Sequence, residues 1–133
     1  MLAKLTIGCF LLLAPFLLGN APPKGAKPVV WTGWFADSQC ASARASAGTF
    51  TGTNPVCAKT CIQKGIAPVF LSEQAKAIFG VQGYPSLIDD LGFHLEITGT
   101  VDEATKTVFV QKVRRLQYDG AACSRTSKAD SGK

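Results

Sequence analysis

Residues 93–101 read Phe-His-Leu-Glu-Ile-Thr-Gly-Thr-Val, a run in which apolar and polar side chains alternate. Alternation with a period of two is typical of a β-strand with one buried face. Gly99 interrupts the apolar row and predicts a β-bulge. A turn at residues 102–104 follows, and residues 107–116 are again rich in β-branched side chains. These features predict a C-terminal β-hairpin.

Shorter elements precede the hairpin. We predict a first strand at residues 29–36 with a bend at Gly33. A helix is predicted from Pro55 to Lys64, with Asn54 as its N-cap and Gly65 at its end. Two strands at residues 68–71 and 76–82 and a short helix at residues 85–91 follow. A helix at residues 72–79 competes with the third strand. Residues 41–52 are small and polar, which predicts a loop with at most one helical turn.

This element order predicts a mainly β protein with short helices. Apart from the helix that begins at Pro55, the order is that of an OB-fold, a five-stranded barrel. We therefore expect an OB-like barrel with an extra helix inserted between strands 1 and 2. A small α+β sandwich is the alternative architecture.

The N-terminus has the pattern of an export signal. Lys4 precedes an apolar run at residues 5–18, and small residues follow it. We predict a signal peptide at 1–21, a linker at 22–28, an OB-like domain at 29–116 and a flexible basic tail at 117–133. The expected location is the periplasm or the extracellular space, with no membrane span after cleavage. A retained N-terminal anchor is the alternative, and Pro22 would hinder cleavage at Ala21.

The composition limits the function further. The chain of 133 residues has room for one domain, and its 47% hydrophobic content excludes a disordered chain. With His94 as the single histidine, sites built on several histidines are excluded. Phosphate-binding glycine loops and nucleophile motifs are absent from the sequence. We therefore expect a monomer that is not an enzyme and that needs no cofactor.

Cysteines are the most informative residues. Cleavage of the signal removes Cys9 and leaves Cys40, Cys57, Cys61 and Cys123, an even number that predicts disulfide bonds outside the cytosol. Cys57 and Cys61 lie four residues apart and share one helix face. A metal site of Cys40, Cys57 and Cys61 is the alternative, and a redox role is less favoured because the spacing is not that of a Cys-x-x-Cys motif. The pairing of the four cysteines stays open.

Further side chains could bind a ligand. Asp37 could act as a ligand or proton acceptor beside Cys40, although a helix cap explains it more simply. Trp31 and Trp34 could offer a stacking platform. Arg114 and Arg115 belong to a basic segment that could meet nucleic acid or an anionic surface, but the mature chain carries thirteen basic and nine acidic residues, a net charge of only +4.

Two other polar features have simpler explanations. His94, on the polar side of its strand, is expected to be solvated, and so is the pair Asp89-Asp90.

Gly33, the Asp37-Ser38-x-Cys40 element, Cys57-x3-Cys61 with Gly65, and residues 95–101 together resemble a family of small exported bacterial proteins of unknown function. The resemblance covers residues 31–116 and implies an OB-like barrel after a signal peptide. Relatives often carry a histidine shortly before the cysteine pair, where this chain has Asn54. We expect a non-catalytic exported binding or structural module, stabilised by disulfide bonds, whose partner is an unidentified ligand or envelope component. Binding to nucleic acid is the less favoured alternative.

Overall fold

Strands dominate the part of the chain that the structure, a computed structural model, describes, which is residues 21–118. The elements in chain order are β1 (Lys27–Asp37), α1 (Ser38–Ser46), α2 (Pro55–Gln63), β2 (Pro68–Ser72), β3 (Ala77–Gln82), a 3-10 helix (Pro85–Asp90), β4 (Phe93–Asp102) and β5 (Thr107–Tyr118).

The five strands form one sheet that closes in a ring in the order β1-β2-β3-β5-β4. Strands β3 and β5 pair in parallel, and every other neighbouring pair is antiparallel. The mainly β class is therefore confirmed, and so is the order of the strands along the chain.

Strand β1 changes partner at Gly33. Its residues 27–33 pair with β4, whereas residues 33–37 pair with β2. A Cβ atom at Gly33 would lie 1.9 Å from the backbone oxygen of Leu71, so a side chain cannot be placed there without moving β2. The predicted bend at Gly33 marks the point where the first strand passes from one neighbour to the other.

The predicted hairpin is confirmed as β4 and β5. Leu95, Ile97 and Val101 are buried, as their alternation predicts. The pairing register shifts between Thr98 and Gly99, which confirms the bulge. At Gly99 a Cβ atom would lie 2.2 Å from the backbone oxygen of Phe109, so the bulge brings the two backbones too close together for a side chain.

Two apolar clusters stabilise the sheet on its two faces. The larger one lies inside the ring and takes side chains from all five strands, with α2 and the 3-10 helix adding Ala58 and Leu87; its strand residues are Phe35, Phe70, Phe79, Leu95, Ile97, Val101, Val108 and Val110. The smaller cluster lies on the opposite face, where Ala41 of α1 covers Ala36, Val69 and Leu71. Helix α1 therefore packs on the outside of the sheet.

The prediction of a loop at residues 41–52 is wrong in its first half, where α1 forms. Asp37 caps this helix, because its Oδ1 accepts a hydrogen bond from the backbone nitrogen of Cys40 at 2.9 Å. Alanines at positions 41, 43 and 45 favour the helix after that start. Two helices, and not one, therefore lie between β1 and β2.

Helix α2 begins at Pro55 as predicted and ends at Gln63, one residue before the predicted end. The Asn54 side chain accepts hydrogen bonds from the backbone nitrogens of Val56 and Cys57, and Gly65 takes the left-handed conformation after the helix with a φ of 94°. The competing helix at residues 72–79 is wrong, since residue 72 ends β2 and residues 77–79 belong to β3.

Boundaries at the two ends of the domain differ from the prediction. Strand β1 begins at Lys27, inside the predicted linker, and Gln117 and Tyr118 belong to β5 and not to the tail. Residues 1–20, with Cys9 and nearly all of the predicted signal peptide, lie outside the described residues, and so do Cys123 and the tail from residue 119. Within residues 21–118, no helix has the length and apolar character needed to cross a membrane.

Candidate functional site: a buried carboxylate beside three thiols

Asp37 ends β1 and is fully buried. It follows Phe35 by two positions, so its side chain lies on the inner face of the sheet. One carboxylate oxygen caps α1, but the other, Oδ2, has no hydrogen-bond partner among the described residues. A buried carboxylate oxygen without a donor costs folding free energy, so this atom marks Asp37 as a candidate site residue.

The thiols of Cys40 and Cys61 interact with this carboxylate, and the thiol of Cys57 interacts with both of them. Cys40 stands in the first turn of α1, and Cys57 and Cys61 lie one turn apart on α2. Burial, then hydrogen bonding to Asp37 and its charge, raise the pKa of Cys40 to about 11, and the charges of Cys57 and Cys61 add to this effect. Burial, the charge of Asp37 and then Cys57 raise the pKa of Cys61. The structure thus brings together three cysteines that the sequence separates by up to 21 positions.

The protonation state of the cluster restricts its chemistry. A thiol with a pKa of about 11 is almost entirely protonated at neutral pH, and the protonated thiol is a poor nucleophile. As the side chains stand, Cys40, Cys57 and Cys61 are not joined by a disulfide bond, and in the described range no group of three acidic, cysteine or histidine residues is arranged to hold a metal ion. The raised pKa values of Cys40 and Cys61 therefore disfavour nucleophilic attack by either thiol at neutral pH.

A cleft of about 460 Å³ opens at the end of the sheet where Asp37 lies. Its position follows from Pro68, which pairs with Asp37 between β1 and β2 and forms one wall of the cleft. Its volume falls in the range of about 300–1,000 Å³ that is usual for small-molecule pockets. Most of its lining is apolar, from α2, β3 and the 3-10 helix: Ile62, Pro68, Val81, Gln82, Gly83, Tyr84, Pro85, Leu87 and Ile88.

The sequence predicts that Asp90 is solvated, but its side chain is buried. Its Oδ2 accepts a hydrogen bond from the Tyr84 hydroxyl at 2.5 Å, and its Oδ1 accepts one from the Arg115 Nε at 2.6 Å. The bond to Asp90, with burial, raises the pKa of Tyr84 to about 12. The 3-10 helix turns Asp90 to the same buried side as Leu87, three positions earlier, but its six residues are too few for this pattern to be recognised in the sequence.

His94 also differs from the expectation of a solvated imidazole. Its ring stacks on the indole of Trp34, with centroids 4.5 Å apart, and its Nε2 lies 2.7 Å from the Glu73 carboxylate. The Thr32 hydroxyl donates to the same carboxylate oxygen of Glu73. Alternation correctly places His94 on the outer face of β4, but it cannot show that Trp34 and Glu73 cover that face.

The remaining candidate side chains are engaged within the protein. Trp31 packs on Phe79 with ring centroids 4.8 Å apart, and Trp34 is only 6% exposed. Arg114 donates two hydrogen bonds to Glu96, at 3.1 and 3.0 Å, and Arg115 pairs with Asp90. Carboxylates therefore compensate two charges of the basic segment.

Comparison of the chain with protein-family models, with curated proteins and with solved structures finds no match in any of the three.

Proposed function

We propose that this protein is an exported, non-catalytic binding or structural module with an OB-type sheet, stabilised by disulfide bonds among Cys40, Cys57, Cys61 and Cys123. The observation that carries the proposal is that three cysteines from two helices interact with one another next to Asp37, the last residue of β1.

The strand order supports the OB-type part of the proposal. The OB-fold is a five-stranded, partly open Greek-key barrel. Here the sheet closes in the order β1-β2-β3-β5-β4, and a short helix stands between β3 and β4, as in that fold. Helices α1 and α2 are additions between β1 and β2, and they bring the cysteines to the sheet.

Crosslinks at this site would have a clear structural effect. Helix α1 covers the smaller apolar cluster, and α2 contributes Ala58 to the larger one. A bond from Cys40 to Cys57 or to Cys61 would close a loop of 18 or 22 residues. In the chain-entropy model such a loop stabilises the folded state by about 3 kcal/mol.

The test is a thiol count on protein purified from the exported fraction. The intact chain is denatured with and without prior reduction, alkylated with iodoacetamide and weighed by mass spectrometry. We expect the mature chain to take up at least two fewer labels without reduction, and peptide mapping to place Cys40 in the bond. Four labels in both samples would contradict the crosslinks, and a chain that is never found outside the cytosol would contradict export.

Metal binding by Cys40, Cys57 and Cys61 is the second candidate function. The unpartnered Oδ2 of the buried Asp37 favours it, because a carboxylate oxygen beside three sulfurs makes up a four-donor set that zinc accepts. Side-chain rotations would be needed to gather the sulfurs about one ion.

Elemental analysis separates the two functions. Protein purified without chelator would contain about one zinc or copper per chain if the cluster is a metal site. A Cys57→Ser variant should lose that metal, whereas Cys123→Ser, which removes a cysteine outside the proposed metal set, should keep it. Absence of both metals from wild-type protein that was purified with reduced thiols would exclude this candidate.

A further inference from the structure

A second group of buried polar atoms lies under the segment that joins α1 to α2, on the outer face of the sheet. Three atoms there have no hydrogen-bond partner among the described residues: the Nε1 of Trp34, the Nε of Arg44 and the Oγ1 of Thr53. They come from three different elements, namely β1, α1 and the segment at residues 47–54. The side chains of Trp34 and Thr53 are more than nine-tenths buried.

The connecting segment brings these atoms into one neighbourhood. Arg44 donates a hydrogen bond from Nη2 to the Thr51 hydroxyl at 2.6 Å. A Cβ atom on Gly52 would lie 3.2 Å from the Nε1 of Trp34, so the backbone of Gly52 rests on the indole. Residues 51, 52 and 53 are consecutive, and their Cα atoms span at most about 7 Å. The three unpartnered atoms therefore lie around one short stretch of chain.

The chemistry of the group calls for an acceptor. An indole nitrogen and a guanidinium nitrogen can donate hydrogen bonds but cannot accept them, and a threonine hydroxyl can donate as well. Arg44 also differs from Arg114 and Arg115, since both of those pair with carboxylates whereas Arg44 has no ion pair in the described part of the chain. The neighbouring carboxylate of Glu73 is already engaged by His94 and Thr32.

We propose that Trp34, Arg44 and Thr53 form a binding site for a small anion, a carboxylate or an inorganic oxoanion. An anionic oxygen would accept from the indole, the guanidinium and the hydroxyl, and it would compensate the charge of Arg44. Hydrogen bonds to ionised groups are shorter and stronger than those between neutral groups, so the anion satisfies this donor set better than water does. None of its three residues belongs to the cysteine cluster, and the site does not depend on the function proposed above.

The indole N–H resonance of Trp34 gives a direct readout. Uniformly ¹⁵N-labelled protein is titrated with phosphate, sulfate or acetate, with chloride at matched ionic strength as the reference, and a Trp31→Phe variant assigns the two indole signals. We expect the Trp34 indole signal to shift and saturate with at least one of the three anions, while the Trp31 signal stays in place.

Two variants test the other donors. Arg44→Gln removes the charge and is expected to weaken anion binding about tenfold, the effect of losing one charged hydrogen bond. Thr53→Val keeps the shape of the side chain and should weaken binding as well. Arg114→Gln is the matched control, because it removes one guanidinium from a paired surface site, and it should bind as the wild type does.

The proposal is overturned if no anion moves the Trp34 indole signal beyond the chloride reference, which is the result expected if a buried water satisfies the donors. It is also overturned if Arg44→Gln binds the anion as tightly as Arg114→Gln does. Should Arg44→Gln fail to fold, undiminished binding by Thr53→Val would overturn it in the same way.

Discussion

His94 stacks face to face on Trp34, with ring centroids 4.5 Å apart and ring planes inclined by 20°. The same imidazole bonds to Glu73, which also accepts from Thr32 of β1. Glu73 follows β2, and His94 lies near the start of β4. This contact therefore ties the two neighbours of β1 together beside the residue at which β1 passes from one to the other.

Loss of the Glu73 charge should change how stability depends on pH. Burial opposes ionisation, but hydrogen bonds from Thr32 and His94 outweigh it and lower the pKa of Glu73 below its ordinary value of 4.5. A carboxyl with a lowered pKa stabilises the fold above about pH 4.5, and that contribution is lost as the pH falls through the folded-state pKa. Glu73→Gln should therefore be less stable than the wild type at pH 7, and the difference should shrink towards pH 3.

Urea unfolding at both pH values measures this effect. Glu103→Gln is the control, since Glu103 pairs with Lys106 on the open surface and should change stability little at either pH. A difference between Glu73→Gln and the wild type that stays constant from pH 7 to pH 3 would contradict the role given to the ionised carboxylate.

Arg115 and Arg114 are neighbours on β5, and replacing each of them should lower the free energy of unfolding by a different amount. Asp90 is only 3% exposed, and Arg115→Gln leaves this buried carboxylate without its charged partner. We expect a loss of about 2 kcal/mol in the free energy of unfolding. Arg114→Gln removes a surface pair with Glu96 and should cost less than about 1 kcal/mol. Equal losses in denaturant unfolding would show that Asp90 does not depend on Arg115.

The protonation of Cys40 should depend on Asp37. Burial, hydrogen bonding to Asp37 and the Asp37 charge raise the pKa of this thiol to about 11. In reduced protein, Asp37→Asn should lower the pKa of Cys40 and accelerate its alkylation at pH 8, since asparagine still caps α1 while the negative charge is gone. Peptide mapping of the iodoacetamide-labelled protein gives the rate for each cysteine separately.

Asp102→Asn is the matched control for this change, because Asp102 caps a distant turn through Ala104. Its alkylation rate at Cys40 should equal that of the wild type. An unchanged rate in Asp37→Asn would mean that burial alone holds the proton on Cys40.

Gly33→Ala should strongly destabilise the protein. The new Cβ atom would lie 1.9 Å from the backbone oxygen of Leu71, so β1 and β2 would have to separate. We expect a loss of about 3 kcal/mol or more in the free energy of unfolding. Gly80→Ala, in β3, is the control, since its nearest neighbours lie at 3.8 Å and an alanine fits there. Similar thermal stability of the two variants would contradict the close approach at Gly33.

The order of the elements can be predicted from the sequence because strong local signals mark it. The alternation in β4, Asn54 and Gly65 around α2, and the interruption at Gly99 each act over a few residues. The first helix is missed because its small and polar residues carry no apolar stripe, although the cap at Asp37 and the alanines suffice to form it.

The candidate site can be predicted only in part. Cysteines at positions 40, 57 and 61 indicate disulfide or metal chemistry by their residue type alone, and together with Cys123 they make an even number, which indicates crosslinks. Long-range contacts decide the rest. The burial of Asp90, the unpartnered oxygen of Asp37 and the stack of His94 on Trp34 all depend on which strands become neighbours, and no local pattern encodes that.

Two long-range strand pairings, β1 with β4 and β3 with β5, close the ring, and they determine when during its synthesis this chain can fold. β1 meets β4 across a long stretch of sequence, and β3 meets β5 through residues 80–82 and 107–109. A nascent chain that ends before residue 107 therefore lacks the pairing of β3 with β5 altogether, and one that ends before residue 93 also leaves residues 27–32 of β1 without their partner strand. Such a topology forms late and slowly compared with local hairpins. A chain that is still unfolded when it leaves the ribosome is one that a chaperone or a translocation channel can receive.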